Sequence, residues 1–101
     1  MRAILAEVAQ QELTDAIAYY DAQGHGLGDS FLDEFLAAVS RIEELPEAWQ
    51  RLSGNTRRCR LRRFPYGLIY RLSDDTALII AVGHLHREPE YWRNRGKRSR
   101  Q

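Results

Sequence analysis

Arg57-Arg58-Cys59-Arg60-Leu61-Arg62-Arg63 is where the chain changes its period. Before it, apolar residues recur every three or four positions; from here they alternate. Cys59 and Leu61 fall on one side, with Arg58, Arg60 and Arg62 on the other, the pattern of a strand with one buried face. Phe64-Pro65 breaks the run. Tyr66 to Leu72 reads as a second strand and Ala77 to His84 as a third. The polar stretch Ser73-Asp74-Asp75-Thr76 between them reads as a hairpin turn.

Working back from that stretch, residues 46–56 read as a loop containing Trp49, Gly54 and Asn55. The segment before it is the clearest helix. Leu27, Phe31, Phe35, Ala38, Ile42 and Leu45 make one stripe, widened by Leu32 and Val39. Asp29 or Ser30 is the expected N-cap, Asp33 and Glu34 suit the first turns, and Pro46 ends the helix. An earlier helix starts near Ala9 without a good cap and carries Leu13, Ala16, Ile17 and Tyr20. It stops at Gln23-Gly24-His25-Gly26. The two helices form an antiparallel hairpin. Residues 2–8 are short and apolar and read as a strand. The order β-α-α-β-β-β predicts an α+β fold, a mostly antiparallel sheet with an N-terminal helical hairpin packed on one face. Residues 1–92 are expected to form one domain, and residues 93–101 a basic, frayed tail.

At 101 residues and 44% hydrophobic content, the chain can bury one core. It contains no apolar run long enough to span a membrane, and Glu7 comes too early for a secretory signal. The single Cys59 can form no internal disulfide and cannot hold a metal alone, so the expectation is a cytoplasmic protein with no cofactor and no metal. Charge is unevenly spread. Residues 1–56 hold three arginines and ten acids and are seven negative, while residues 57–101 hold twelve basic residues and four acids and are eight positive. Either one end meets an anionic partner or the two halves neutralise each other in the fold.

The third strand adds a second clue. In Ala77-Leu78-Ile79-Ile80-Ala81-Val82 apolar residues point both ways, and in Leu68-Ile69-Tyr70-Arg71-Leu72 they do so partly. A strand apolar on both sides needs cover on both. Two helices cover one face, so the other is expected to be an apolar patch edged by arginines, fit for a partner. The alternative is that Trp49, Trp92 and the loops fold over it.

Three stretches together resemble toxins of the RelE/ParE superfamily, on the ParE branch. The first is the helical hairpin, with Ala16-Ile17-Ala18-Tyr19-Tyr20, Leu27-Gly28-Asp29-Ser30-Phe31-Leu32 and Ile42-Glu43-Glu44-Leu45-Pro46. The second is Arg63-Phe64-Pro65-Tyr66-Gly67-Leu68-Ile69-Tyr70-Arg71. The third is His84-Leu85-His86-Arg87-Glu88-Pro89-Glu90-Tyr91-Trp92. Their order and spacing match across roughly residues 4 to 92. The resemblance implies a small curved antiparallel sheet with a helical hairpin and a cognate antitoxin that wraps the toxin. Operator DNA would be reached only through that antitoxin. ParE-type relatives poison DNA gyrase, whereas RelE-type relatives cleave mRNA on the ribosome. The fold alone does not choose between them.

RNA cleavage needs a base for the 2′-hydroxyl, cations for the phosphate and an acid for the leaving oxygen. RelE-type toxins use lysines, arginines and a late tyrosine, and this chain has only Lys97. A binding toxin is therefore expected, with no catalytic residue assigned. The nuclease alternative would rest on His84, His86 and Arg87. The bland account of His84 is a strand-end residue bonded to backbone, and that of His86 an exposed loop residue. Target contacts are expected at His86, Arg87, Tyr91, Trp92, Arg93 and Arg95, where cations surround aromatics. Antitoxin contacts are expected at Arg63, Leu68, Tyr70, Arg71, Leu78, Ile80 and Val82. Tyr66, Tyr70 and Trp92 also read as core aromatics, Cys59 as a core thiol, and Arg58, Arg60 and Arg62 as a solvated face.

Overall fold

Each expected element forms in the computed structural model, which describes residues 1–88 and 90–96, and one further strand joins them. In chain order they are β1 (Arg2–Leu5), α1 (Glu7–Gln23), α2 (Leu27–Glu44), β2 (Gln50–Ser53), β3 (Thr56–Arg60), β4 (Tyr66–Leu72) and β5 (Thr76–His84). The sheet order is β1-β5-β4-β3-β2, with β1 parallel to β5 and the other pairs antiparallel. Strand β2 lies inside the expected loop. It is polar and short, as suits an edge strand, and so carries no alternation to read. Gly54, at φ +48°, turns it into β3. Among the described residues, no helix is long and apolar enough to cross a membrane.

The helical hairpin lies on one sheet face. Ala9, Leu13 and Ala16 of α1 and Phe31, Phe35, Ala38 and Ile42 of α2 are buried against Cys59, Leu61, Leu68, Tyr70, Ile79 and Val82. Cys59 is thus a core residue as expected, and burial pushes its thiol pKa up. Tyr20, Phe31, Phe64 and Tyr66 form an aromatic knot with centroids 4.8–6.0 Å apart.

The cap of α2 differs from expectation. Neither Asp29 nor Ser30 is the N-cap. Gly26 occupies that position at φ +79°, and the Ser30 hydroxyl donates to the Gly26 carbonyl. The capping acceptor comes from the preceding helix: the Gly28 N–H donates to Asp21 Oδ1 at 2.8 Å. A Cβ at Gly28 would stand 2.3 Å from that oxygen, so the glycine makes room for the cap.

A bulge in β5 explains its two-sided apolar character. Ile69 faces Ala81 and Tyr70 faces Ile79, which leaves Ile80 as an extra residue. Ala77, Ile79 and Val82 therefore join the helical core, while Ile80 and Ala81 turn to the other face. That face is not left open. Trp92 folds onto Ile69, Ile80 and Ala81, with Leu52, Leu78 and Tyr91 around it, and remains only 9% exposed. The expected bare patch is thus covered by the chain itself, since a docked indole removes a large apolar area from water. Trp49 does not share in this and packs against the helical core instead.

Candidate functional site

The segment that follows β5 is held by a carboxylate from α1. Glu12 lies on the inward stripe of that helix, beside Ala9, Leu13 and Ala16. Pairing between β1 and β5 ends at Leu5 and Ile79, so the outer edge of β5 beyond that point lacks a strand partner. The Val82 N–H on that edge donates to Glu12 Oε1 at 3.0 Å. Arg95 donates to the same oxygen at 2.9 Å and to the Ile80 carbonyl at 3.2 Å, while Arg87 donates to Glu12 Oε2 at 2.9 Å. Side chains thus replace the missing strand, which blunts the edge.

Tyr91 is clamped inside this network. Its ring lies 3.8 Å from the Arg87 guanidinium carbon and 5.1 Å from that of Arg95. Its hydroxyl rests on Gly83, where a Cβ would stand 1.6 Å from the phenol oxygen. Burial, with Glu12 nearby, pushes the Tyr91 pKa upward.

Arg71 holds the segment from the sheet. Its Nε donates to the Arg95 carbonyl at 2.9 Å, one terminal nitrogen to the Arg93 carbonyl at 2.6 Å, and the other to Thr56 Oγ1 at 3.1 Å. Arg93 also pairs with Glu90. Arg93 and Arg95, in the first part of the expected tail, are therefore tied to the sheet by hydrogen bonds. The remainder, residues 97–101, and Pro89 lie outside the described residues.

The expected target residues are brought together, though not all are accessible. His86, Arg87 and Arg93 are exposed, Tyr91 and Arg95 are half-buried, and Trp92 is buried as a core residue. The expected antitoxin residues divide further. Leu68, Tyr70 and Val82 are sealed in the helical core and Ile80 in the second core, so none presents a side chain to a partner. The face away from the helices was expected to lie open, and Trp92 covers it, so both faces of the sheet are occupied. Leu78 and Arg71 are half-buried, Arg71 being engaged as described, while Arg63 is exposed.

At the mouth of the site, His84 and His86 stand with ring centroids 5.2 Å apart, and Tyr66 lies 5.2 Å from His84. The His86 N–H donates to His84 Nδ1 at 3.1 Å. An open cleft of about 320 Å³ lies beside them, lined among others by Tyr19, Tyr66, His84 and Arg87. Among the described residues no three His, Cys, Asp or Glu side chains converge as metal ligands.

Two residues central to this arrangement, Glu12 and Gly83, were not singled out from sequence. A charged residue inside the apolar stripe of α1 was a signal for Glu12. Gly83 carried none, since its partner Tyr91 is fixed only by the tertiary path.

A family model described as the ParE toxin of type II toxin-antitoxin system, parDE, matches residues 3–89. No curated protein matches the chain. Among solved structures, the chain is similar to one described as the chromosomal ParDE TA system from P. aeruginosa. That match has a TM-score of 0.61 and 17% identity, covering 83% of this chain and 95% of the other. At that identity the likeness concerns the fold.

Proposed function

We propose that this chain, which belongs to the ParE toxin family of type II toxin–antitoxin systems, acts by binding rather than catalysis, inhibiting DNA gyrase in the cytoplasm until a cognate antitoxin neutralises it. The observation that carries the binding mode is the state of the cations around Tyr91. Arg87 and Arg95 are paired with Glu12, and Arg71 spends its donors on the backbone carbonyls of residues 93 and 95. Cations committed in this way are poor clamps for a scissile phosphate. They do hold the Tyr91 ring and the Arg93 backbone in place, with Arg87 itself fixed on Glu12, and preorganised cation and aromatic groups suit a protein target. Family membership supports the choice of gyrase and of an antitoxin partner. Operator DNA would be reached through that antitoxin.

A second reading, ribosome-dependent mRNA cleavage, is favoured by one observation: the His84 and His86 rings sit together beside an open cleft. One experiment separates the two. Purified chain is added to a gyrase supercoiling assay and, separately, to a translation extract in which mRNA cleavage is mapped. The binding reading expects inhibited supercoiling, intact mRNA, and little effect of His84→Ala with His86→Ala. Cleavage that falls by about 10²–10⁴ in that double variant, with supercoiling untouched, would establish the nuclease. Added antitoxin should reverse the inhibition.

A further inference from the structure

Strand β3 carries Arg58 and Arg60 on the face opposite Cys59, and Arg62 follows just beyond its end. Arg41, from the last turn of α2, reaches the same place. Its guanidinium donates to the Arg60 carbonyl at 2.8 Å and lies 5.8 Å from the centre of the Trp49 ring. The four arginines, with Trp49 and Gln50, line an open cleft of about 260 Å³. Beyond Arg58 the surface continues into a second cleft of about 220 Å³, bordered by Leu52, Ser53, Glu90 and Trp92.

Among the described residues, none of the ion pairs formed involves these four arginines; the pairs are Arg87–Glu12, Arg93–Glu90 and Arg95–Glu12. Arg58 donates to Gln50 Oε1, a neutral acceptor, and its Nε is buried without a partner. The nearby carboxylate of Glu34 accepts from the backbone N–H groups of Arg62 and Arg63. Burial and the neighbouring Arg60 pull the Arg58 pKa down, with Tyr91 acting the other way. The excess positive charge of the second half is thus left unneutralised here.

We infer that this cleft docks an extended acidic segment of the antitoxin, with carboxylates at alternate positions pairing with Arg58 and Arg60 and flanking ones with Arg41 and Arg62. The inference rests on the antitoxin reading for the identity of the partner and adds the site and the pattern it recognises. Side chains two apart on a strand are spaced about 7 Å, the spacing of carboxylates at alternate positions in an extended peptide. Each guanidinium fork can take a carboxylate in two bonds. A nucleic acid fits less well. Single strands bind by stacking bases on open aromatic faces. Here Trp49 lies under Arg41 with its N–H given to the Arg41 carbonyl, Tyr91 is clamped between two arginines, and Trp92 is buried.

The test titrates the full chain with a synthetic peptide of alternating glutamate and alanine, about ten residues long. Parallel titrations use its isomer with the glutamates contiguous and a single-stranded RNA of similar length. Heat and the NMR signals of the arginine side chains are followed. The alternating peptide should bind with loss at higher salt, shift the Arg58 and Arg60 signals, and weaken about tenfold in Arg58→Gln with Arg60→Gln. Arg60→Gln alone, at an exposed position, should weaken it in the same direction without altering the melting curve. The antitoxin complex should show a comparable loss in the double variant. Equal binding of the contiguous isomer would overturn the alternating geometry, and tighter binding of RNA through the same arginines would overturn the peptide. An antitoxin that binds wild type and folded double variant equally would remove the site and leave the antitoxin reading intact. An antitoxin that does not bind the wild type would remove that reading, and the peptide titration would still decide the site.

Discussion

Gly83 is required by the hydroxyl of Tyr91, which occupies the space a side chain would need. Gly83→Ala should therefore displace Tyr91 and loosen its clamp, costing about 1–3 kcal/mol as an overpacked site. Tyr91→Phe removes the closest atom but leaves the ring carbon 2.7 Å from the new Cβ, so it should rescue part of the loss. A denaturation midpoint unmoved by Gly83→Ala would refute the contact. Tyr70 makes a second prediction. Its phenol is fully buried and donates to the Pro46 carbonyl at 2.6 Å, and burial pushes its pKa up to about 12 from the ordinary 10.0. The folded state holds this proton more tightly than the unfolded chain does. The stabilisation is whole below pH 10 and declines as pH rises towards 12, by about 1.4 kcal/mol per pH unit. Stability measured in urea should fall more steeply over that window in wild type than in Tyr70→Phe, and parallel slopes would contradict the assignment.

At the scale of elements, α2 organises the helical core. Phe31 is fully buried, touches Tyr20, Phe64 and Tyr66, and lies at the centre of its stripe. Phe31→Ala should cost about 3–5 kcal/mol, a large share of the about 5–15 kcal/mol typical of a whole domain. Thermal melts that scarcely shift would exclude Phe31 from the centre of the core. The N-terminus of the same helix depends on Asp21 of α1, so Asp21→Ala should remove about 1 kcal/mol. Asp29→Ala should remove less, because Asp29 lies in the first turn without capping it. Equal losses would place the cap where local sequence suggests it.

For the molecule as a whole, the C-terminal segment belongs to the folded domain at least to Gly96. Ending the chain after Trp92 deletes the Arg95–Glu12 ion pair and the two carbonyls that accept from Arg71. The truncated chain should lose about 2–4 kcal/mol and shift its tryptophan emission to the red as Trp92 is wetted. Unchanged stability would mean that Trp92 docks without help from the residues after it. Charge shows the same coupling at this scale. Of the acids in the first half, only Glu12 forms an ion pair with the basic second half among the described residues. The positive field over β3 therefore remains available to a partner.

Periodicity by itself determined the two helices, the three longer strands and their order, because a hydrophobic stripe is a local property of the chain. Phe31, Phe35 and Ile42 could bury in no other way than on one face of α2. It also determined that β5 needs cover on both sides. What supplied the second cover was decided only by the tertiary structure. The bulge at Ile80 sets which residues face each way, and Trp92 returns to meet them from beyond the last strand. The site was divided in the same manner. His86, Arg87 and Tyr91 could be located from their clustering, yet Glu12 and Gly83 acquire their roles through partners far away in sequence. Arg71 was expected among the antitoxin contacts and is a strut within the fold, because its donors are spent on carbonyls that only the folded chain brings within reach.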